Sequence, residues 1–268
     1  MPDERGGVSP LVPSALRIGS TPMHLTASAP PETRIQRESM SRHLAIGDIH
    51  GCYKSLRLLC ESIELQDDDE IITLGDYPDR GPNTSGVLDY LIHLSKSHTL
   101  RPLRGNHDLM MLEARESESK FVQWLTVGGD TTLRSYSPFD GDSGSFADIP
   151  DEHWAFLENG LLPYYETETH FFVHANACPD LPLAEQPDYM LYWETFDDPP
   201  AHESGKIMVC GHSVQRSGRP LILDHAICID TWVYGDGWLT CLDVEMEVYW
   251  QSNQRGKTRM GNLRFRPR

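Results

Sequence analysis

The sequence predicts an α/β fold, on three observations. Short apolar runs alternate with segments whose apolar residues recur at helical spacing. Four of those runs lead into a glycine followed by Asp, Asn or His. The 268 residues suffice for one large domain with a substantial core, with or without tails.

The elements follow in order. "HLAI" (43–46) reads as a buried strand, and the segment after it places Leu56, Leu59, Cys60 and Ile63 on one helical face. "EIITL" (70–74) is a second strand, followed by a helical face of Val87, Leu88, Leu91 and Ile92. "TLRPL" (99–103) is a third, ahead of another helical stretch. Strand–helix–strand–helix–strand order implies βαβ units and a largely parallel sheet. Beyond residue 150, "HFFVH" (170–174), "KIMVC" (206–210), "HAICID" (225–230), "WLTCLDV" (238–244) and "EVYWQ" (247–251) read as strands, the last two as a hairpin across a short acidic turn.

The ends differ in composition. Residues 1–40, rich in Pro, Ser, Gly and Thr, read as a disordered N-terminal extension, with Met40 a natural domain start. Residues 252–268 read as a basic C-terminal tail: Arg255, Lys257, Arg259, Arg264, Arg266 and Arg268 occur there without an acid, as in a solvated fraying end or, alternatively, a docking arm for an anionic partner. The formal charge of -17 excludes general nucleic-acid or membrane-surface binding, since both partners are anionic. No apolar run approaches the roughly 18–20 residues of a membrane span, and no compact apolar core follows basic residues at the N-terminus, so no signal peptide is expected. Cys52, Cys60, Cys178, Cys210, Cys228 and Cys241 are scattered and read as reduced thiols of a cytoplasmic protein.

Metal-competent side chains collect at the strand ends. The first strand leads into Asp48 and His50, the second into Asp76, the third into Asn106, His107 and Asp108, and two later ones into His174 and His212. Ligands of open α/β sheets bind outside the carboxyl ends of strands. One Asp-Gly or Gly-Asn is an ordinary turn; five strand ends with the same chemistry are a pattern. Asp48, His50, Asp76, Asn106, His174 and His212 offer oxygen and imidazole nitrogen and no thiolate, which suits Mn, Fe or Zn. Six ligands exceed what one catalytic metal with open positions needs, and fit two metals about 3.5–4 Å apart sharing a carboxylate.

The motifs "GDIHG" (47–51), "GDYPDRG" (75–81), "RGNHD" (104–108), "VHA" (173–175) and "GH" (211–212) resemble, in order and spacing, the phosphoprotein phosphatase family of calcineurin-like metallophosphoesterases. "WLTVGGDTTLRSY" (124–136) and "IDT…G…LT" (229–240) resemble its bacterial serine/threonine phosphatase branch. The resemblance implies a β-sandwich of two mixed sheets flanked by helices, with a βαβαβ metal-binding core and a catalytic domain over 41–251. It implies two divalent or trivalent ions, manganese first and iron or zinc as alternatives. Asp48, His50 and Asp76 would hold one ion; Asp76, Asn106, His174 and His212 the other. His107 would be the general acid, Asp79 its orienting partner and Arg80 the phosphate-binding group. The chemistry agrees: an alkoxide leaving group needs a proton, and a guanidinium can donate two parallel bonds to phosphate. Metal-bridging hydroxide would attack the phosphate directly, without a phosphoenzyme.

Four positions depart from the family pattern: Pro78 inside "GDYPDRG", Asn176 after "HA", Trp232 after "IDT", and Glu194 after Trp193. No arginine lies between His174 and His212, where the family places a second phosphate-binding one, and Arg134 is a candidate substitute. The expected substrate is a phosphoserine or phosphothreonine protein, or a small phosphoester. Alternatives are a symmetrical diadenosine tetraphosphate hydrolase and a metal-binding phosphate sensor. "GDIHGCY" and "GNHDLMML" resemble the former, which usually lacks the aspartate that stands here as Asp79.

Overall fold

Side-chain alternation along the central strands explains why this sequence forms layers. In the computed structural model, which describes residues 41–139 and 141–263, β1 (His43–Ile46) turns Leu44 and Ile46 to one face and Ala45 to the other. Leu44 and Ile46 pack on α1 (Tyr53–Ile63) through Leu56, Leu59, Cys60 and Ile63, the face expected from the spacing. β2 (Glu70–Thr73) follows, then α2 (Thr84–Leu94), opened by Asn83, whose side-chain oxygen accepts Gly86 N. Its buried face is Val87, Leu88, Leu91 and Leu94; Ile92, assigned to that face from the spacing, is only half-buried. β3 (Thr99–Pro102) completes the βαβαβ unit, with β1, β2 and β3 parallel.

Four helices come next: α3 (Asn106–Glu113), α4 (Glu118–Trp124), α5 (Asp130–Tyr136) and α6 (Asp151–Asn159). A second sheet then forms from β4 (Tyr165–Glu166) and β5 (His170–Phe172), α7 (Asp188–Tyr192), β6 (Ile207–Cys210), β7 (Leu221–Ile222) and β8 (Ala226–Cys228). The chain returns through β9 (Leu239–Asp243) and β10 (Val248–Ser252) to β11 (Thr258–Asn262).

The strand orders are β11-β10-β9-β1-β2-β3 and β4-β5-β6-β8-β7. Each sheet has three adjacent parallel strands, β1-β2-β3 at one end of the first and β5-β6-β8 at the centre of the second, with antiparallel strands completing each, so the parallel expectation holds for these trios and the sheets are mixed. Ala45, Ile72, Phe172, Val209, Ile227 and Leu242 meet in one apolar cluster between the sheets, while Phe171, Met208, Cys210, Ala226 and Cys228 face outward against α7. Period-two patterning thus yields a sandwich whose outer faces are helix-covered.

The tail expectation needs correction. Thr258–Asn262 pairs antiparallel with all five residues of β10, so the sheet extends past residue 252. Arg255 is ion-paired with Asp236, and Arg259 lies over the Trp238 ring at 4.1 Å while its Nε donates to Gln251 Oε1. This edge strand is held by backbone pairing with little apolar burial, so no hydrophobic alternation announced it. Residues 1–40, the start at Met40 and Arg264, Arg266 and Arg268 lie outside the described residues. The β9–β10 hairpin is present, its turn closed by Asp243 Oδ1 accepting Glu245 N and Met246 N.

Candidate metal and phosphate site

The loops leaving β1, β2, β3, β5 and β6 bring all nine expected residues together. Asp48 accepts His212 N through both oxygens, at 3.1 and 3.0 Å, joining the ends of β1 and β6 across the two sheets. His174 Nδ1 donates to Leu74 O at 2.7 Å, joining β5 to β2. Asp76 Oδ1 accepts His107 N at 2.9 Å. A Cβ on Gly105 would overlap Asp76 Oδ1, so only glycine permits this approach. His50, Asp76, Asp79, Arg80 and His212 all have positive φ, between 45° and 73°. Non-glycine residues sustain that backbone where surrounding contacts enforce it, which is frequent at functional sites.

The imidazoles are fixed in orientation and tautomer. A carbonyl only accepts, so His50 carries its proton on Nδ1 toward Pro78 O at 3.0 Å, and His174 carries its own on Nδ1 toward Leu74 O. Both rings turn a bare Nε2 inward, 3.4 and 3.5 Å from the Asp76 carboxylate. His212 Nε2 donates to Trp193 O, leaving Nδ1 bare and 3.0 Å from Asn106 Oδ1; His174 Nε2 lies 2.9 Å from the same oxygen. Lone pairs therefore face lone pairs around Asp76 and Asn106. Ligating atoms of His50, Asp76 and His107 lie within 4.8 Å of one another, as do those of Asp76, His174 and His212, so Asp76 belongs to both groups. This donor set fits cations, with backbone carbonyls as the outer supports that orient metal-ligating histidines.

Electrostatics point the same way. Burial lowers His50 and His174 and brings His212 down to about 4, keeping all three neutral. Burial raises Asp76, and the neutral imidazoles around it supply no positive charge in compensation; in their protonated forms His174, His107, His50 and His212 would instead pull it below the usual carboxylate range. Burial, then Asp230 and Asp76, push Asp48 well up, a conflict that a cation would relieve. The His212 shift has a definite sign. In metal-free protein the unfolded chain takes up its proton near pH 6.5 and the folded one only near 4, so its contribution to stability falls as pH drops through that window. Denaturant midpoints of wild type should fall relative to H212N between pH 6.5 and 4; parallel curves would contradict this.

His107, a member of the first group, is one half of a buried pair. His107 Nδ1 is 2.7 Å from Asp79 Oδ2. Trp124 Nε1 donates to both Asp79 oxygens, at 3.0 and 2.9 Å, and Thr132 Oγ1 donates to Oδ1 at 2.8 Å. Burial nonetheless pushes Asp79 up, against these bonds. Trp124→Phe removes a donor to a buried carboxylate, a bond type that contributes about 1.5–3 kcal/mol. Melting temperature should fall, and turnover of alkyl phosphates should drop by about tenfold; unchanged values in both assays would exclude the clamp.

Arg80 N donates to Gly128 O, Nη1 lies 2.9 Å from the bare His50 Nε2, and the guanidinium covers the Tyr234 ring at 4.7 Å. Arg134 is not part of this group: it pairs with Asp130 one helical turn earlier on α5 and is exposed. Arg216, on the β6–β7 loop, lies over the Trp232 ring at 5.1 Å; Trp232 and Tyr234 share the β8–β9 loop. The departures are accommodated locally. Pro78 supplies the carbonyl that orients His50, Asn176 bonds Thr195 O and Ala177 N, and Trp232 adopts φ 68°.

Several residues at the site had no role assigned from the sequence. Asp108 accepts Gly105 N, Asp76 N and Tyr77 N, tying the start of α3 to the Asp76 turn. Trp124, Thr132, Tyr234 and Asp230 are the others. The motif "RGNHD" carried a signal for Asp108, and "IDT" one for Asp230.

Comparison with known proteins identifies the family. The model of the calcineurin-like phosphoesterase family matches residues 41–236. Serine/threonine-protein phosphatase 1 of Salmonella typhimurium is 37% identical over 102 residues, 38% of this chain and 45% of that protein. A symmetrical bis(5'-nucleosyl)-tetraphosphatase of Salmonella paratyphi A is 43% identical over 68 residues, 25% of this chain and 23% of that protein. The chain thus spans less than half the length of these curated relatives. The fold is similar to that of a crystal structure described as a putative diadenosine tetraphosphatase, with a TM-score of 0.57 and 18% identity over 84% of this chain and 95% of that one. It is also similar to a protein serine/threonine phosphatase from Saccharomyces cerevisiae, with a TM-score of 0.52 and 12% identity over 85% and 81% of the two chains. With the family model covering most of its length, this chain belongs to the calcineurin-like phosphoesterases.

Proposed function

We propose that the chain is a dinuclear-metal-dependent phosphomonoesterase acting on phosphoserine and phosphothreonine in proteins. Asp48, His50 and Asp76 would hold one ion, and Asp76, Asn106, His174 and His212 the other. When bound, two such ions supply Lewis-acid polarisation of the phosphate and activation of the attacking water. Arg80 receives the phosphate oxygens. His107, held through Nδ1 by Asp79, presents Nε2 and gives its proton to the leaving oxygen as the P–O bond breaks. The observation that carries this reading is that His107, held by the buried Asp79, lies in one cluster with His50 and Asp76, while Asp76 is shared with a second cluster of His174 and His212. Its value is greatest for poor leaving groups such as serine and threonine alkoxides. Manganese is the ion to test first. A cytoplasmic setting belongs to the same reading, supported by six free cysteines.

A second reading, hydrolysis of symmetrical dinucleoside tetraphosphates, is favoured by aromatic surface around the site. Trp193, whose carbonyl bonds His212, is 47% exposed, and Trp232 carries Arg216. Manganese-loaded protein should be assayed on an aryl phosphate, phosphoserine and phosphothreonine peptides, and diadenosine tetraphosphate. Turnover of the aryl phosphate and peptides is expected. Turnover of the dinucleotide alone would overturn the first reading in favour of the second; two bound ions without turnover of any substrate would favour a phosphate sensor.

A further inference from the structure

Asp230 is a buried acid outside the ligand set. It is 1% exposed. One oxygen accepts Trp232 N at 3.0 Å, while Oδ2, equally inaccessible, has no hydrogen-bond partner. A buried carboxylate oxygen without a donor is costly unless something neutralises it.

Its position is enforced from several directions. Ile229 N donates to Cys210 O, the residue that ends β6, and Asp230 O accepts Gln215 N from the loop that carries His212. Thr231 is fixed by Trp238 O and by Thr240 and Gln251. The loop after β1 presses against this segment: a Cβ on Gly47 would stand 2.6 Å from Ile229 O. Asp48, next in sequence to Gly47, and Asp230, next to Ile229, are thereby neighbours.

Two buried carboxylates brought together, one with a bare oxygen, form half of a cation site. Asp48 spends both oxygens on His212 N and has no cationic partner among the described residues. We propose that Asp230 is a further acid of the Asp48–His50–Asp76 subsite, where its free oxygen holds the hard divalent cation or a water bound to it. This rests on the dinuclear reading above and adds an acid to it. Asp230 is a positioning residue: it sets how tightly that ion is kept and where the ion sits relative to Asp48.

The test is calorimetric titration of metal-free wild type, D230N and D230A with manganese, with melting curves before and after loading. In D230N one of the two binding steps should weaken by about 10–100-fold, as outer-sphere partners of metal sites do, while the other stays within about threefold. Metal-free D230N should melt no lower than wild type, because the orphaned charge is gone, yet gain less on loading. D230A should show the same selective weakening if the amide of D230N disturbs the loop. Two binding steps of wild-type affinity in both variants would overturn the role of Asp230 alone. A wild-type protein that takes up no manganese would overturn the dinuclear reading, and this inference with it.

Discussion

Asp76→Asn should lower kcat/KM for every phosphoester substrate by at least about a thousandfold, because bound cations contribute several kcal/mol of transition-state stabilisation. Asp76 is the only side chain common to both donor groups, and its backbone and carboxylate also position α3. An amide keeps the shape but gives up the charge that offsets two cations. The loss should appear in kcat as well as KM, since the ions act on the transition state and not only on substrate capture. Circular dichroism should remain that of wild type. An asparagine variant with activity within tenfold of wild type would remove Asp76 from the centre of the mechanism.

His107→Asn should separate substrates by leaving group. For alkyl phosphates, kcat should fall by about 10²–10⁴-fold, the usual contribution of a general acid. For an aryl phosphate with an acidic phenol the loss should be far smaller, because that oxygen departs without a proton. Asp79→Asn should reproduce the selectivity at lower amplitude, since Asp79 acts through the Nδ1 bond of His107. Equal losses on both substrates, in either variant, would contradict a proton donated to the leaving oxygen and leave the pair a structural role.

Much of the site was legible because its ligands are local features of strand ends. Asp48, His50, Asp76, Asn106, His174 and His212 each follow an apolar run, and a common sheet edge brings such positions together. What holds them was not legible. Trp124 and Thr132 reach Asp79 across 45 and 53 residues of sequence, and Tyr234 reaches Arg80 across a greater span. Contacts of that kind depend on how α4 and α5 pack, which periodicity does not reveal. Arg134 illustrates the converse: it stands in the same motif run as Trp124, yet its helix directs it to Asp130 in solvent. In the fold, β4 and β7 have two residues each and β11 buries almost nothing, so none carries a hydrophobic signature. The central strands were visible because their burial is two-sided.

The most direct test of the two-metal account is the ion content of the protein itself. Metal-stripped chain should be equilibrated with manganese, freed of unbound ion and analysed for manganese per polypeptide, with aryl phosphatase activity measured alongside. The account predicts two ions per chain, no activity in the stripped protein and recovery in step with loading. Full activity in the stripped protein, or saturation below two ions per chain with activity already maximal, would contradict it.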